Sequence, residues 1–244
     1  MKVSIIIPAH NEEYLIAKIL ADIVSRTPLE IVEEIIVVDD HSVDTTASVV
    51  SKFAQNHTAF NIKAVSNNTP AGFANALRFG IEKARGDLII HLMADECDRI
   101  SDISLMFNKF KTSNADIVCG SRYMESGERN GGSVLKGFFS RFVGVSLHSI
   151  INIPTRDCSN AFKMYRKKIL DKIILNSNGF EVSMELCLKA YLLGYKIDEV
   201  STVWHEREEG SSDFKMFKES SGYIRLYFWA IFKYFQSRMY AVKS

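Results

Sequence analysis

The chain is 244 residues long, with 47% hydrophobic residues, 13 Gly and 4 Pro, which suits a globular fold with a sizeable core and excludes a disordered chain. Its 30 basic and 29 acidic residues leave a net charge of +1, so no global basic field points to nucleic acid. The four cysteines, Cys97, Cys119, Cys158 and Cys187, lack a C-x-x-C pair and a histidine at metal-ligand spacing, which fits reduced thiols in a cytoplasmic compartment and excludes a structural zinc site.

From the N-terminus, the run MKVSIIIPAH is interrupted by Pro8, His10 and Glu12 before a signal sequence or a span of about 20 residues takes shape. VSIIIPAHN reads as a strand ended by proline, and NEEYLIAKILADIVS as a helix with Asn11 at its N-cap. EEIIVVDD is a second strand, followed by a helix from Thr45. NIKAVSNN is a third strand, AGFANALRFGIEKA a third helix and DLIIHLMAD a fourth strand. A further helix is expected at DISLMFNKF, with Asp98 or Ser101 as its cap. Strands that are apolar throughout suit a parallel sheet covered on both faces, with helices as crossovers. Ligands of such α/β sheets bind beyond the carboxyl ends of the strands. Residues 8–12, 39–42 and 95–98 all fall at those ends, so three polar clusters distant in sequence are expected to meet along one edge.

Carboxylates repel phosphates, so acidic clusters on a nucleotide-binding edge either accept hydrogen bonds from base and ribose or hold a bridging Mg²⁺ or Mn²⁺. Asp39 and Asp40 fit the first role, Asp95 and Asp98 the second. The alternative is that each aspartate only caps the helix after it.

At this point the motifs become recognisable. SIIIPAHNEE resembles the opening PxxNE of family 2 glycosyltransferases, IIVVDDHSVDTT their VVDDxSxDxT, and the stretch from Ala71 to Asp95 the approach to their metal-binding motif. GSRY at 120–123, RDCSNAFKMYRKKIL from Arg156, MELCLKAYLLGYKIDEV from Met184 and EREEGSS from Glu206 resemble later blocks of the dolichyl- and polyprenyl-phosphate sugar synthases of that family. The resemblance implies a GT-A fold, a mostly parallel Rossmann-like sheet flanked by helices, acting on a nucleotide-sugar donor of the GDP-mannose or UDP-hexose type with inversion at the anomeric carbon. One motif departs from the pattern. The usual Asp-x-Asp and following Gln would fall on Met93, Asp95 and Cys97, which leaves Asp95 as principal metal ligand and Asp98 as its partner.

The resemblance implies donor contacts at Pro8, Ala9, Asn11, Glu12, Asp39, Asp40, Ala94, Asp95, Arg122, Ser212 and Lys215. It puts Arg141 on the phosphate of the acceptor and Asp157 near the reacting centre, where Asp157 or Glu185 would serve as general base for a hydroxyl acceptor. Arg207, Ser212 and Lys215 resemble the RxxGxS loop with its following basic residue, which would close over the donor's diphosphate; His205 lies beside it. The implied acceptor is a lipid phosphate at a membrane surface, with a saccharide hydroxyl, or donor binding without transfer, as alternatives. A catalytic domain is expected over 1–215. Residues 216–244 form an amphipathic, aromatic-rich helical segment that lies on a membrane surface, packs on the core or joins a homo-oligomer. SVLKGFFSRFVGVSLHSIINI and YIRLYFWAIFKYFQSRMY are both rich in apolar and aromatic residues, and neither is expected to span a bilayer.

Overall fold

A computed structural model describes residues 1–206 and 216–241. Its first half alternates β1 (Val3–Ala9), α1 (Ile16–Arg26), β2 (Val32–Asp39), α2 (Thr46–Asn56), β3 (Ile62–Ser66), α3 (Phe73–Lys83) and β4 (Leu88–His91). The second half continues with α4 (Asp102–Ser113), β5 (Ile117–Ser121), β6 (Glu128–Asn130), α5 (Val134–Ile151), β7 (Lys163–Arg166), α6 (Lys167–Leu170), α7 (Val182–Leu192), β8 (Ile197–Ser201), β9 (Val203–His205) and α8 (Met216–Ala241).

Seven strands form one sheet in the order β3-β2-β1-β4-β7-β5-β8. Every pairing in it is parallel except those of β7, which runs antiparallel to both β4 and β5. Alternate side chains of the uniformly apolar strands serve opposite faces. Ile5 and Ile7 pack with Leu20 and Ile23 of α1 and Phe110 of α4, whereas Ile6 packs with Ala74 and Leu77 of α3. This two-sided burial is why the strands read as continuous hydrophobic runs. A third cluster joins Cys119 and Tyr165 to α5, α7 and α8. A separate pair, β6 with β9, flanks the carboxyl edge.

Two boundaries differ from the sequence expectation. Asn11 does not cap α1: it has a positive φ of 54°, and the helix begins only at Ile16, because residues 11–13 are bonded to the loop after β2. β4 stops at His91, so residues 92–95 are already loop and Asp95 is free of sheet register. α8 is integral to the fold, since Leu226, Ala230 and Tyr234, spaced one turn apart, enter the third cluster. Among the described residues, α5 is the one helix long and apolar enough to cross a membrane by length and composition. One stripe of it, Gly144, Leu147 and Ile151, is nonetheless buried against the domain.

The amino edge of the sheet is pinned by Glu34, fully buried on β2. It accepts hydrogen bonds from Ser4 Oγ at 2.9 Å, Arg85 N at 2.6 Å and Lys63 Nζ at 2.7 Å. Burial raises its pKa, but these donors together outweigh burial and hold the carboxyl below its ordinary value of 4.5. A lowered folded-state value means that the stabilisation is complete above the unfolded value and is lost as pH falls through the folded one. Glu34→Ala is expected to cost about 2 kcal/mol near neutral pH. The Tm gap between wild type and variant should narrow as pH drops below 4.5; a gap independent of pH would contradict this role.

Candidate active site

β2, β1 and β4 lie side by side and parallel, so their carboxyl ends do meet on one edge. The loops there are laced together before any ligand arrives. Asn11 N donates to Ser42 Oγ at 3.0 Å, and Val43 N to Asn11 Oδ1 at 2.9 Å. Glu12 N donates to Thr46 Oγ1, and Thr45 N and Oγ1 both donate to Glu13 Oε2. Pro8 and Ala9 form the floor at the end of β1, with Ala9 O accepting from Asp40 N at 2.8 Å.

The two aspartates after β2 have different work. Asp40 is buried, and its two carboxylate oxygens take Asn67 Nδ2 at 2.7 Å and Gly72 N at 2.8 Å. It therefore fixes the loop between β3 and α3. Gly72 sits at φ 136°, a conformation that glycine adopts at little cost. Asp39 is half-buried, and Oδ1 accepts only from Ser42 N at 3.2 Å. Of the pair, Asp39 is the less buried.

In the acidic loop after β4, Ala94 is buried and Asp95 half-buried. Asp95 Oδ1 accepts from Cys97 N at 3.2 Å. Glu96 turns the chain with φ 58° and pairs with Lys18 of α1 at 2.7 Å. Cys97 O accepts from His205 N at 2.9 Å, and Asp98 pairs with Trp204, so β9 fixes the loop from outside. Burial, joined by repulsion from Asp95, pushes the Asp98 carboxyl up to about 7. Two acids that oppose each other's ionisation suit a divalent cation, whose charge would draw both into the ionised form. Among the described residues no three His, Cys, Asp or Glu are grouped to hold a metal.

Asp98 also feels Arg122 and Asp157, which places it beside the second feature of the site. Asp157 is fully buried. Arg122 meets it with Nε at 2.7 Å, Nη2 at 2.9 Å and its backbone N at 3.0 Å. Burial disfavours the guanidinium charge, yet the Asp157 carboxylate keeps Arg122 more firmly protonated than usual. Expected to act directly on donor and acceptor, these two side chains are instead directed at one another. Asp157 clamps Arg122, and the guanidinium is fixed beside the acidic loop. Arg141 is exposed on α5, in a groove of about 380 Å³ formed with Phe138, Phe142, Val145 and Ser146.

Glu185 does not fit the role of a general base. It is buried on α7, accepts from Asn176 N at 3.0 Å, Ser177 N at 2.8 Å and Lys189 Nζ at 2.6 Å, and so caps the loop before that helix. Burial raises its pKa, but Lys189 and the two amides hold it below the ordinary value of 4.5, which makes it a weak base. Arg207, Ser212 and Lys215 lie outside the described residues. His205 is exposed at the end of β9.

Sequence reasoning missed two pairs of polar supports. Ser140 and Ser159 complete the surroundings of Arg122 and Asp157. His91 and Lys163, cross-strand neighbours on β4 and β7, are both buried. Burial, with Lys163 nearby, drives the His91 pKa down to about 3, and its Nε2 is 3.0 Å from Ser183 Oγ. A Lys and a His inside otherwise apolar strand runs were the available signal.

Comparison with known proteins follows the same lines. A dolichyl-phosphate beta-glucosyltransferase of Trichomonas vaginalis is 28% identical over 84% of this chain and 66% of its own length. A dolichol-phosphate mannosyltransferase of Pyrococcus furiosus is 28% identical over 88% of this chain and 60% of its own. The chain thus spans about two thirds or less of the length of these curated relatives. Among solved structures, glucosyl-3-phosphoglycerate synthase from Mycobacterium tuberculosis in complex with Mn²⁺, UDP-glucose and phosphoglyceric acid superposes with a TM-score of 0.67 at 16% identity, covering 91% of this chain and 75% of that one. S. aureus TarS 1–349 in complex with UDP-GlcNAc gives 0.63 at 22% identity, covering 88% and 62%. These likenesses show the GT-A fold. The sequence profile described as glycosyl transferase family 2 matches residues 4–174, and with that match over more than half its length the chain belongs to glycosyl transferase family 2.

Proposed function

We propose that this protein transfers a hexose from a nucleotide-sugar, of the UDP-hexose or GDP-mannose type, to a polyprenyl or dolichyl phosphate, with inversion at the anomeric carbon. The observation that carries this reading is Arg141, an exposed cation set in an apolar, aromatic groove on α5. A phosphate headgroup on a hydrophobic chain needs both features at one place. The activities for which the two dolichol-phosphate relatives are named support the same acceptor class.

In this reading Asp39 accepts hydrogen bonds from base or ribose over the floor made by Pro8 and Ala9, while Asn11, Glu12 and Asp40 hold the walls. Asp95 and Asp98 would hold Mg²⁺ or Mn²⁺, which would supply charge neutralisation to the nucleoside-diphosphate leaving group. Arg122 adds a fixed positive charge beside them, and Arg207, Ser212 and Lys215 would close on the same diphosphate. A phosphate acceptor is already ionised at neutral pH, so its oxygen attacks the anomeric carbon as the bond to the diphosphate breaks, and no general base is required. This accounts for Asp157 and Glu185 being occupied by cations.

The acceptor's location follows from α5 and α8, which pack side by side through Phe142, Tyr227 and Ser146. Their outer surface exposes Phe138, Phe139, Phe228, Phe232 and Phe235, with Arg141, Arg225, Lys233 and Arg238 exposed among them. Aromatic side chains interleaved with cations suit the headgroup region of an anionic bilayer. The reduced, buried cysteines fit the cytoplasmic face.

Arg141→Ala should raise KM for a lipid phosphate by about tenfold to a hundredfold and leave the donor Kd within about twofold, measured by initial rates and by calorimetry. Equal loss for both substrates, or turnover with a soluble sugar and none with lipid phosphate, would overturn the acceptor. Asp95→Ala should reduce turnover about a hundredfold or more with Tm retained, and abolish the response to added Mn²⁺; a variant as active as wild type would remove the metal from this loop. Phe228→Asp with Phe232→Asp should release the protein from anionic vesicles in a flotation assay. If the pair instead converts a dimer to a monomer in sedimentation without altering flotation, the face is a subunit interface.

A further inference from the structure

α5 has two working faces one residue apart. Its outer face carries Arg141 between Phe138 and Phe142. Its inner face carries Ser140, whose Oγ accepts from Arg122 Nη2 at 2.8 Å and lies 2.9 Å from Ser159 Oγ. Ser159 Oγ in turn donates to Asp157 Oδ1 at 3.5 Å. Asp157, Arg122, Ser140 and Ser159 thus form a closed ring of polar contacts spanning the end of β5, the helix and the turn before β7. One turn further on, a Cβ at Gly144 would lie 2.0 Å from Arg156 O and 3.2 Å from Asp157 Cα. The helix backbone therefore rests directly on the turn that carries Asp157. Leu147 and Ile151 continue the same inward stripe.

We propose that Ser140 is a positioning residue. Through it α5 fixes the guanidinium of Arg122, so that one helix sets both the seat of the acceptor phosphate and the positive charge at the head of the site. The second half of this statement rests on the acceptor reading given above; the tether itself does not. The guanidinium and backbone N–H of Arg122 both meet the Asp157 carboxylate, which holds the guanidinium from one side only. A further contact from a helix that is itself clamped at Gly144 fixes it from a second side.

Ser140→Ala should lower kcat about tenfold, the effect of losing one hydrogen bond to a charged group, while the acceptor KM and donor Kd stay within about twofold. This is the converse of the Arg141→Ala pattern. Ser140→Thr, which keeps the hydroxyl, should recover most of the rate. Leu147→Ala, buried on the same stripe without a polar partner, should lower Tm yet leave kcat near wild type, separating positioning from stability. A readout independent of turnover is hydrogen exchange at Arg122 Nε, followed by ¹⁵N NMR. It should be slow in wild type and at least about tenfold faster in Ser140→Ala, and adding farnesyl phosphate should shift the Arg122 signal in wild type but not in the variant. Unchanged exchange at Nε, or a kcat loss in Leu147→Ala equal to that in Ser140→Ala, would overturn the tether. Faster exchange in Ser140→Ala with no response of wild type to farnesyl phosphate would uphold the tether and refute the acceptor reading.

Discussion

A carboxylate with no exposure to solvent is the constraint on which the carboxyl edge depends. Asp157 is fully buried, and an unpaired charge there would be untenable. Arg122 answers it with three donors. Meeting that demand ties the end of β5 to the turn before β7, and the antiparallel insertion of β7 between β4 and β5 brings that turn beside the acidic loop. The helix that must then cover the pair is α5. Because it approaches the 156–157 backbone as closely as only a glycine allows, its remaining surface faces outward. An aromatic groove with a cation in it is thus the reverse side of a helix whose placement is dictated from within.

The edge at the ends of β1 and β2 is organised by different contacts. Short polar links between loops hold it. Asn11 bonds Ser42 and Val43, Glu13 bonds Thr45, and Asp40 bonds Asn67 and Gly72. Loops fixed in this way lose little further entropy when a nucleotide arrives. The division between Asp40 and Asp39 follows directly. Two adjacent residues at a strand end point to opposite sides, so one can serve the scaffold while its neighbour stays less buried.

Much of this was legible in the sequence. Uniform apolar runs ending in Pro8, Asp39 and the 92–95 segment announced parallel strands with polar carboxyl ends, because burial on both faces leaves a strand no reason to alternate. The start of α1 was not legible: Asn11 is an ordinary cap residue, and only contacts with Ser42 and Val43, distant in sequence, hold it in a left-handed conformation instead. Glu185 was misjudged for the same reason, since its partners at Asn176, Ser177 and Lys189 show a loop cap, while the sequence shows only an acid. Ser140 and Ser159 carried no signal of their own, being two of many serines until the fold set them beside Arg122.

The altered acidic motif illustrates how position can stand in for residue type. Where the family pattern has an aspartate two residues before Asp95, this chain has Met93, and where it has glutamine there is Cys97, which is buried with its amide on Asp95. A plain extended chain would send Asp95 and Asp98 to opposite sides. The left-handed turn at Glu96, held by Lys18 from α1 and by β9 through Cys97 and Asp98, bends the loop so that repulsion from Asp95 adds to the burial that chiefly pushes the Asp98 carboxyl up. Glutamate in that conformation is uncommon, and the contacts on either side of it repay the strain. The acidic pair is thus held by α1 and β9 as well as by its own residues.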